Sequence, residues 1–326
     1  MTAATDAIRS AIEAAVPARY RPFTRWSGPR EREWSWHFDA IGGGVRLLGK
    51  IPRWEGIDTL DAALAAGPQP DTQGEFAVLE AISQTIAATG EPGLAAVVPV
   101  AYVPSVNAIV AEWLDAVPLQ DRVGPMASSA ETAELLTRTG RWLRIYHGAF
   151  GGWMTEPFDG AAAAASWQLE AVAGHLAGGL GRAVMEVTAA AERLDGHPIA
   201  TGTIHGDFTL SNVLVTGDDR IAVIDSNRYR GPAMADPARL AVDLMFGRSR
   251  LATAGTVPGG GRVHRRVAAV MRGYGDHDET AFGYESAAAS LRKWLDLERH
   301  GLGSWQRLAL VAGRRMFRTE IARLVH

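Results

Sequence analysis

The chain has 326 residues, 47 % of them hydrophobic, and a formal net charge of −3. That supplies a substantial core for one bilobal unit or two domains and gives no basic footprint for nucleic acid. It contains no cysteine, which excludes disulfides, thiolate metal sites and thiol catalysis. Its 33 Lys and Arg include only Lys50 and Lys293 as lysine, so each lysine invites a reason.

The first segment, Ala3 to Val16, has helical patterning, carries charges throughout and lacks a signal-peptide core; a cytoplasmic location is expected. Thr24 to Ile41 alternates apolar and polar residues, which predicts two strands around a turn near Ser27-Gly28-Pro29. Gly42-Gly43-Gly44 reads as the hairpin into a third strand, V-R-L-L-G-K-I. It is not a phosphate cradle, because Ile51 follows Lys50 where a Walker loop needs Ser or Thr. The phosphate-covering loop is then expected at the Ser27 turn. Pro52 to Asp71 reads as an insertion or flexible connection. Thr72 to Ala87 should be a helix with an apolar stripe of Phe76, Leu79, Ile82 and Ile86; Glu75 lies at the inner end of that stripe and Glu80 on the opposite side.

Gly93 to Val110 is weakly charged but contains Pro99, Pro104 and many β-branched residues, so it reads as a strand pair rather than a membrane helix, and no membrane partner is expected. Glu131 to His147 is helical, with His147 read as a structural histidine. Two Ala-rich helices fill Ala161 to Leu194, stopped by Asp195-Gly196. Further helices are predicted over Pro237–Phe246, Val263–Tyr274, Phe282–Glu298 and Trp305–Leu324.

The chemistry concentrates between His205 and Asp225: H-G-D-F-T-L-S-N-V-L-V, a polar T-G-D-D-R turn, then I-A-V-I-D. Moving a γ-phosphoryl group requires a hydroxyl held in line with phosphorus and neutralisation of a highly anionic transition state. Asp207 would accept the hydrogen bond of the attacking hydroxyl. Asn212 and Asp225 would offer Mg²⁺ the hard oxygen ligands it prefers. The apolar runs V-L-V and I-A-V-I pair as strands and fold Asp225 back beside the loop, and Asp218 and Asp219 are structural turn residues.

This stretch resembles the catalytic loop of the aminoglycoside phosphotransferase and choline kinase family, small-molecule relatives of the protein kinases, which carry H-G-D-x4-N where protein kinases carry H-R-D-x4-N. The resemblance implies an α+β, protein-kinase-like two-lobed fold. Its N-terminal nucleotide-binding lobe, with a small antiparallel sheet, would span residues 1–115, and a mostly helical C-terminal lobe 116–326. It implies Asp207 as catalytic base, Asn212 and Asp225 on Mg²⁺, and ATP or GTP as the phosphoryl donor to a small-molecule hydroxyl. Lys50 would pair the α- and β-phosphates, held by Glu75. Ala108 to Leu119 resembles the family's hinge, where the Glu112 carbonyl and the Leu114 N–H would contact adenine; Ala116 stands where Gly is usual. Gly231 to Leu240 resembles the segment whose Asp braces the loop, giving Asp236, with His205, a supporting role. Ser226 departs from the pattern, which has an aromatic there.

Two rivals stand beside a small-molecule kinase. A protein kinase is disfavoured by the eleven positions from Asp225 to Asp236, too few for a long activation segment, and by the lack of A-P-E. A nucleotide-binding pseudokinase would be free to lose one of Lys50, Asp207, Asn212 and Asp225, yet all are present. For the acceptor, the acidic group Asp276, Asp278 and Glu279 and the indoles Trp294 and Trp305 are candidates, although acidic loops are usually solvated and Trp is usually core.

Overall fold

The computed structural model describes residues 3–32, 34–53, 57–124, 129–173, 178–226, 228–246, 260–299 and 304–325. They divide into two compact units, Met1–Val117 with Val215–Arg228, and Pro118–Leu214 with Tyr229–His326. In chain order the first unit holds α1 (Ala3–Ala15), β1 (Phe23–Glu31), β2 (Ser35–Gly42), β3 (Val45–Pro52), α2 (Leu60–Ala65), α3 (Pro70–Thr89), β4 (Pro99–Val103) and β5 (Ala108–Glu112), and runs out through β6 (Ala116–Pro118). There follow α4 (Leu119–Arg122), α5 (Ser129–Gly148), β7 (Met154–Pro157), α6 (Gly160–Ala173), α7 (Gly178–Arg193), β8 (Pro198–Ile204), β9 (Val213–Thr216), β10 (Ile221–Val223) and β11 (Tyr229–Pro232). The chain ends in α8 (Ala235–Phe246), α9 (Gly260–Tyr274), α10 (Glu279–Arg299) and α11 (Ser304–Val325). Among the described residues no helix is long and apolar enough to cross a membrane.

The first unit is a five-stranded antiparallel sheet in the order β1-β2-β3-β5-β4. Its alternation puts Phe38, Leu47, Ile51 and Val110 on one face, where they bury Ile8 and Ile12 of α1 and Val16 just beyond it. The glycines after Ile41 make the β2–β3 hairpin, with Gly43 and Gly44 at positive φ. A side chain at Gly42 or Gly43 would overlap the carbonyls of Tyr20 and Arg19, so these glycines serve close backbone packing.

Two expectations are corrected here. Ser27-Gly28-Pro29 is no turn: it lies inside edge strand β1, where the register jumps between Ser27↔Asp39 and Arg30↔His37, a bulge. The hairpin closes instead at Arg32, whose N–H bonds the Ser35 carbonyl at 2.7 Å, so the Ser27 segment is not a covering loop. The stretch from Pro52 to Asp71, read as a connection, contains α2, whose Thr59 hydroxyl caps the Ala62 N–H at 3.2 Å.

The segment Val215–Arg228 belongs to the first unit because β10 is tied there. The Ile221 N–H bonds the Gly93 carbonyl at 3.0 Å, and the Ile221 carbonyl accepts from Ala95 N at 2.7 Å. Asp219 takes positive φ in the turn before β10, and Asp218 bonds Thr216 and Arg220, which fits local turn chemistry.

In the second unit, α6, α7, α8, α10 and α11 share a core that includes Val184, Val187, Val242, Leu291, Trp294 and Phe317. Trp294 is 1 % exposed and stacks 5.6 Å from Phe317, so it is a core residue and no stacking plate for an acceptor; the Trp305 side chain lies outside the described residues. Helices α5 and α9 meet backbone to backbone through Gly140 and Gly273, where a Cβ would overlap the carbonyls of Val270 and Thr137. Strand β8 lies between β11 and β7 in a small antiparallel sheet and leads into His205.

Gly140→Ala should destabilise the protein by about 1–3 kcal/mol through overpacking, even though Ala is the better helix former by about 1 kcal/mol. Gly148→Ala, with no heavy atom within 4 Å of the added carbon, should be neutral or slightly stabilising. Urea unfolding of the two variants checks the difference.

Candidate active site

In the first unit, alternation along β3 buries Leu47, Gly49 and Ile51 on the core side and turns Lys50 to the other face. Helix α3 is fixed opposite by Asn107, a fully buried residue at positive φ. Its side chain accepts from Gln69 N at 3.0 Å and donates to the Thr72 hydroxyl at 3.0 Å, tying the start of α3 to the β4–β5 connection. Lys50 Nζ then donates to Glu75 Oε1 at 2.9 Å and to Asp225 Oδ1 at 2.8 Å, while Glu80 is exposed. Burial disfavours the Lys50 ammonium, but the two carboxylates outweigh it and hold its pKa above the ordinary lysine value. His37 of β2 pairs directly with Lys50 across the β2–β3 ladder, and burial and that ammonium lower its pKa below the ordinary histidine value.

Asp225 follows β10 at positive φ, a conformation Asp tolerates better than most residues. Ser226 behind it is fully buried, and its hydroxyl has no partner among the described residues. Strand β5 ends in Glu112, whose N–H bonds the Val98 carbonyl at 2.9 Å and whose Oε1 accepts from the Tyr20 hydroxyl at 2.5 Å. Trp113 N bonds the Arg46 carbonyl at 2.8 Å, and the Arg46 guanidinium lies 3.7 Å over its indole. Leu114 comes next and is half-buried.

In the second unit the loop from His205 to Leu210 runs along one face of α8. Asp236 Oδ2 accepts from His205 N at 2.6 Å and Oδ1 from Gly206 N at 2.8 Å. His147 Nε2 lies 2.9 Å from the same Oδ2, and its Nδ1 lies 2.9 Å from the Tyr274 hydroxyl. With Asp236 an acceptor, Nε2 donates to it, and Nδ1 pairs with the Tyr274 hydroxyl. Burial alone would raise the Asp236 pKa, but the bond from His147 and the neighbouring imidazoles win, leaving it below the ordinary Asp value. Gly206 has φ +80°, and a Cβ there would overlap the Tyr229 ring, so only glycine fits. Phe208 is fully buried, its ring 6.3 Å from that of Trp142, and anchors the loop in the core.

Asp207 itself is 52 % exposed. Arg239, one turn along α8 from Asp236, donates to its Oδ1 at 2.8 Å, and Asn212 Nδ2 donates to its Oδ2 at 2.9 Å and to its carbonyl at 3.0 Å. One turn further, Asp243 Oδ2 accepts from Leu210 N at 3.2 Å. Arg239, Asp243, Phe208 and Tyr20 were not among the residues singled out by sequence; the 236–239–243 spacing on an amphipathic helix is the signal that points to the α8 pair. Of the acidic cluster, Asp278 caps α10 by accepting from Ala281 N at 2.9 Å and bonds His197 Nε2 at 2.9 Å, which gives it a structural job.

A sheet-bearing first unit and a helical second unit put the chain in the protein-kinase-like α+β class. The sequence model of the phosphotransferase enzyme family matches residues 61–288, and the chain belongs to that family. A choline/ethanolamine kinase family protein from Mesorhizobium loti is similar in structure, with TM-score 0.53 at 16 % identity over 99 % of both chains. A glucosamine kinase in complex with glucosamine, ADP and inorganic phosphate gives 0.52 at 16 %, covering 92 % of this chain and 95 % of the other. A spectinomycin phosphotransferase in complex with ADP and spectinomycin gives 0.51 at 11 %, covering 98 % and 97 %. At these identities the likeness is one of fold. No curated protein matches the chain.

Because its folded pKa is depressed, Asp236 contributes stability that is present above the unfolded Asp value, about pH 4, and is lost as pH falls through the folded value. Asp236→Asn should cost about 3 kcal/mol or more at pH 7 and flatten the acid limb of the stability–pH curve. Urea titrations from neutral pH to about pH 3 check it; parallel curves for the two proteins would remove this role from Asp236.

Proposed function

We propose that the protein transfers the γ-phosphoryl group of ATP to a hydroxyl of a small molecule, with GTP as the alternative donor and a sugar, an aminoglycoside-like antibiotic or an amino alcohol as acceptor. The observation that carries this reading is Asp207: a half-exposed carboxylate on a loop otherwise locked to the core, held between Arg239 and Asn212. Such a group can take the hydrogen bond of an incoming hydroxyl and receive its proton as transfer proceeds. The ADP named with the glucosamine kinase and the spectinomycin phosphotransferase supports the nucleotide, and the glucosamine and spectinomycin named with them support a small polar acceptor.

In this reading Lys50, oriented by Glu75, takes the α- and β-phosphates, and the Glu112 carbonyl and Leu114 N–H take the base. Among the described residues no group of three or more His, Asp or Glu is arranged to hold a metal. Mg²⁺ usually keeps several waters and takes only one or two protein oxygens besides phosphate, and the Asn212 amide oxygen and the Asp225 carboxylate are each a hard oxygen donor of the kind it would take. The ion would neutralise phosphate charge; the chain's own residues orient the nucleotide and accept the proton.

A coupled ADP-release screen over sugars, amino alcohols and antibiotics tests the proposal. Nucleotide binding with no turnover on any acceptor would favour a nucleotide-binding switch. Asp207→Asn should leave Mg-nucleotide affinity nearly intact and lower turnover by about 10²–10⁴. Asp225→Asn should weaken affinity and rate together. Calorimetric titration and turnover on the same two variants separate the roles, and the opposite pattern sinks the assignment. Glu75→Gln should slow turnover by freeing Lys50, whereas Glu80→Gln should match wild type; equal rates for both would take Glu75 out of the site.

A further inference from the structure

One contact of the catalytic loop continues outward to the chain's other lysine. Asp243 accepts from Leu210 N with Oδ2 and receives the Lys293 ammonium of α10 on Oδ1. The side chains of Lys293 and Asp243 are 29 % and 22 % exposed, so the pair is largely shielded and less screened than a surface ion pair. Leu210 lies between Asp207 and Asn212, and its carbonyl is held in turn by Gln120 N at 3.2 Å.

The chemistry explains why a chain built on arginine keeps a lysine here. An ammonium is a point charge that satisfies one carboxylate oxygen and leaves the other aimed at the Leu210 amide. A guanidinium is a planar fork that prefers both carboxylate oxygens at once and would compete with Leu210 for Oδ2. We infer that Lys293 is a positioning residue for phosphoryl transfer: through Asp243 it sets the loop segment between Asp207 and Asn212. The inference rests on the reading of Asp207 as the base that receives the acceptor's proton.

The experiment uses the full chain, with the acceptor from the ADP-release screen or, if none is found, water. It combines initial rates, melting temperature and hydrogen–deuterium exchange across residues 205–214. Lys293→Met should lower kcat by about 10-fold, the scale of a sub-ångström misplacement, with the nucleotide KM within about two-fold, and speed exchange at Leu210. Lys293→Arg should melt like wild type yet show the same kcat loss, and Asp243→Asn should match it. The double variant Lys293→Met/Asp243→Asn should be no worse than either single one, because both break one linkage. Lys293→Gln replaces the Met variant if that one fails to fold. Unchanged kcat and exchange in Lys293→Met, or full rescue by Lys293→Arg, overturns the inference. If wild type releases no ADP with any acceptor or water, the phosphotransferase reading fails, and the exchange data alone then decide whether Lys293 holds Leu210.

Discussion

The Asp236 carboxylate is 1 % exposed, and a charge that deep is tolerable only when its lone pairs are filled. Two of its partners are successive backbone N–H groups, those of His205 and Gly206, so satisfying the charge also fixes the path of the chain into Asp207. The third is His147 of α5, itself held by Tyr274 of α9. A single desolvated anion thereby joins three helices and one loop. From that fixed point α8 lays out the loop turn by turn, with Arg239 on the Asp207 side chain and Asp243 on the Leu210 amide.

This arrangement divides labour along the loop. Its start is rigid because it neutralises a buried charge, and Phe208 is sunk beside Trp142. Asp207, between those two anchors, is the part left open to solvent, and its neighbours are a guanidinium and an amide that can exchange partners without disturbing the core. Rigid supports around one accessible group are what positioning catalysis requires. The Lys50, Glu75 and Asp225 cluster of the first unit follows a different rule: two carboxylates share one ammonium.

Much of this was legible in the sequence, for reasons that differ by residue. H-G-D-x4-N stands out because few other functions need those groups at that spacing. Glu75 could be told from Glu80 because a helix with a clear apolar stripe has only one inner face. Arg239 and Asp243 carried only the weak signal of their spacing from Asp236, since one arginine among so many is unremarkable until its helix is known to lie against the loop. Strand β8 was missed: P-I-A-T-G-T-I is short and broken by Gly202, which is there because a side chain would run into Trp153. The Ser27-Gly28-Pro29 segment misled in the opposite direction. Turn-forming residues inside an edge strand make a bulge, and composition alone does not distinguish the two.

The hairpin that ends in Asp225 has a consequence for how the chain is made. Residues 215–228 belong to the first unit but emerge from the ribosome about a hundred residues after the rest of it, a delay of about 5–20 s at ordinary synthesis rates. Through that interval Lys50 has Glu75 but not Asp225, and the backbone around Gly93 and Ala95 still awaits Ile221. The nascent first unit therefore waits on sequence embedded in the second, and an mRNA cut short before codon 225 would yield neither unit in finished form.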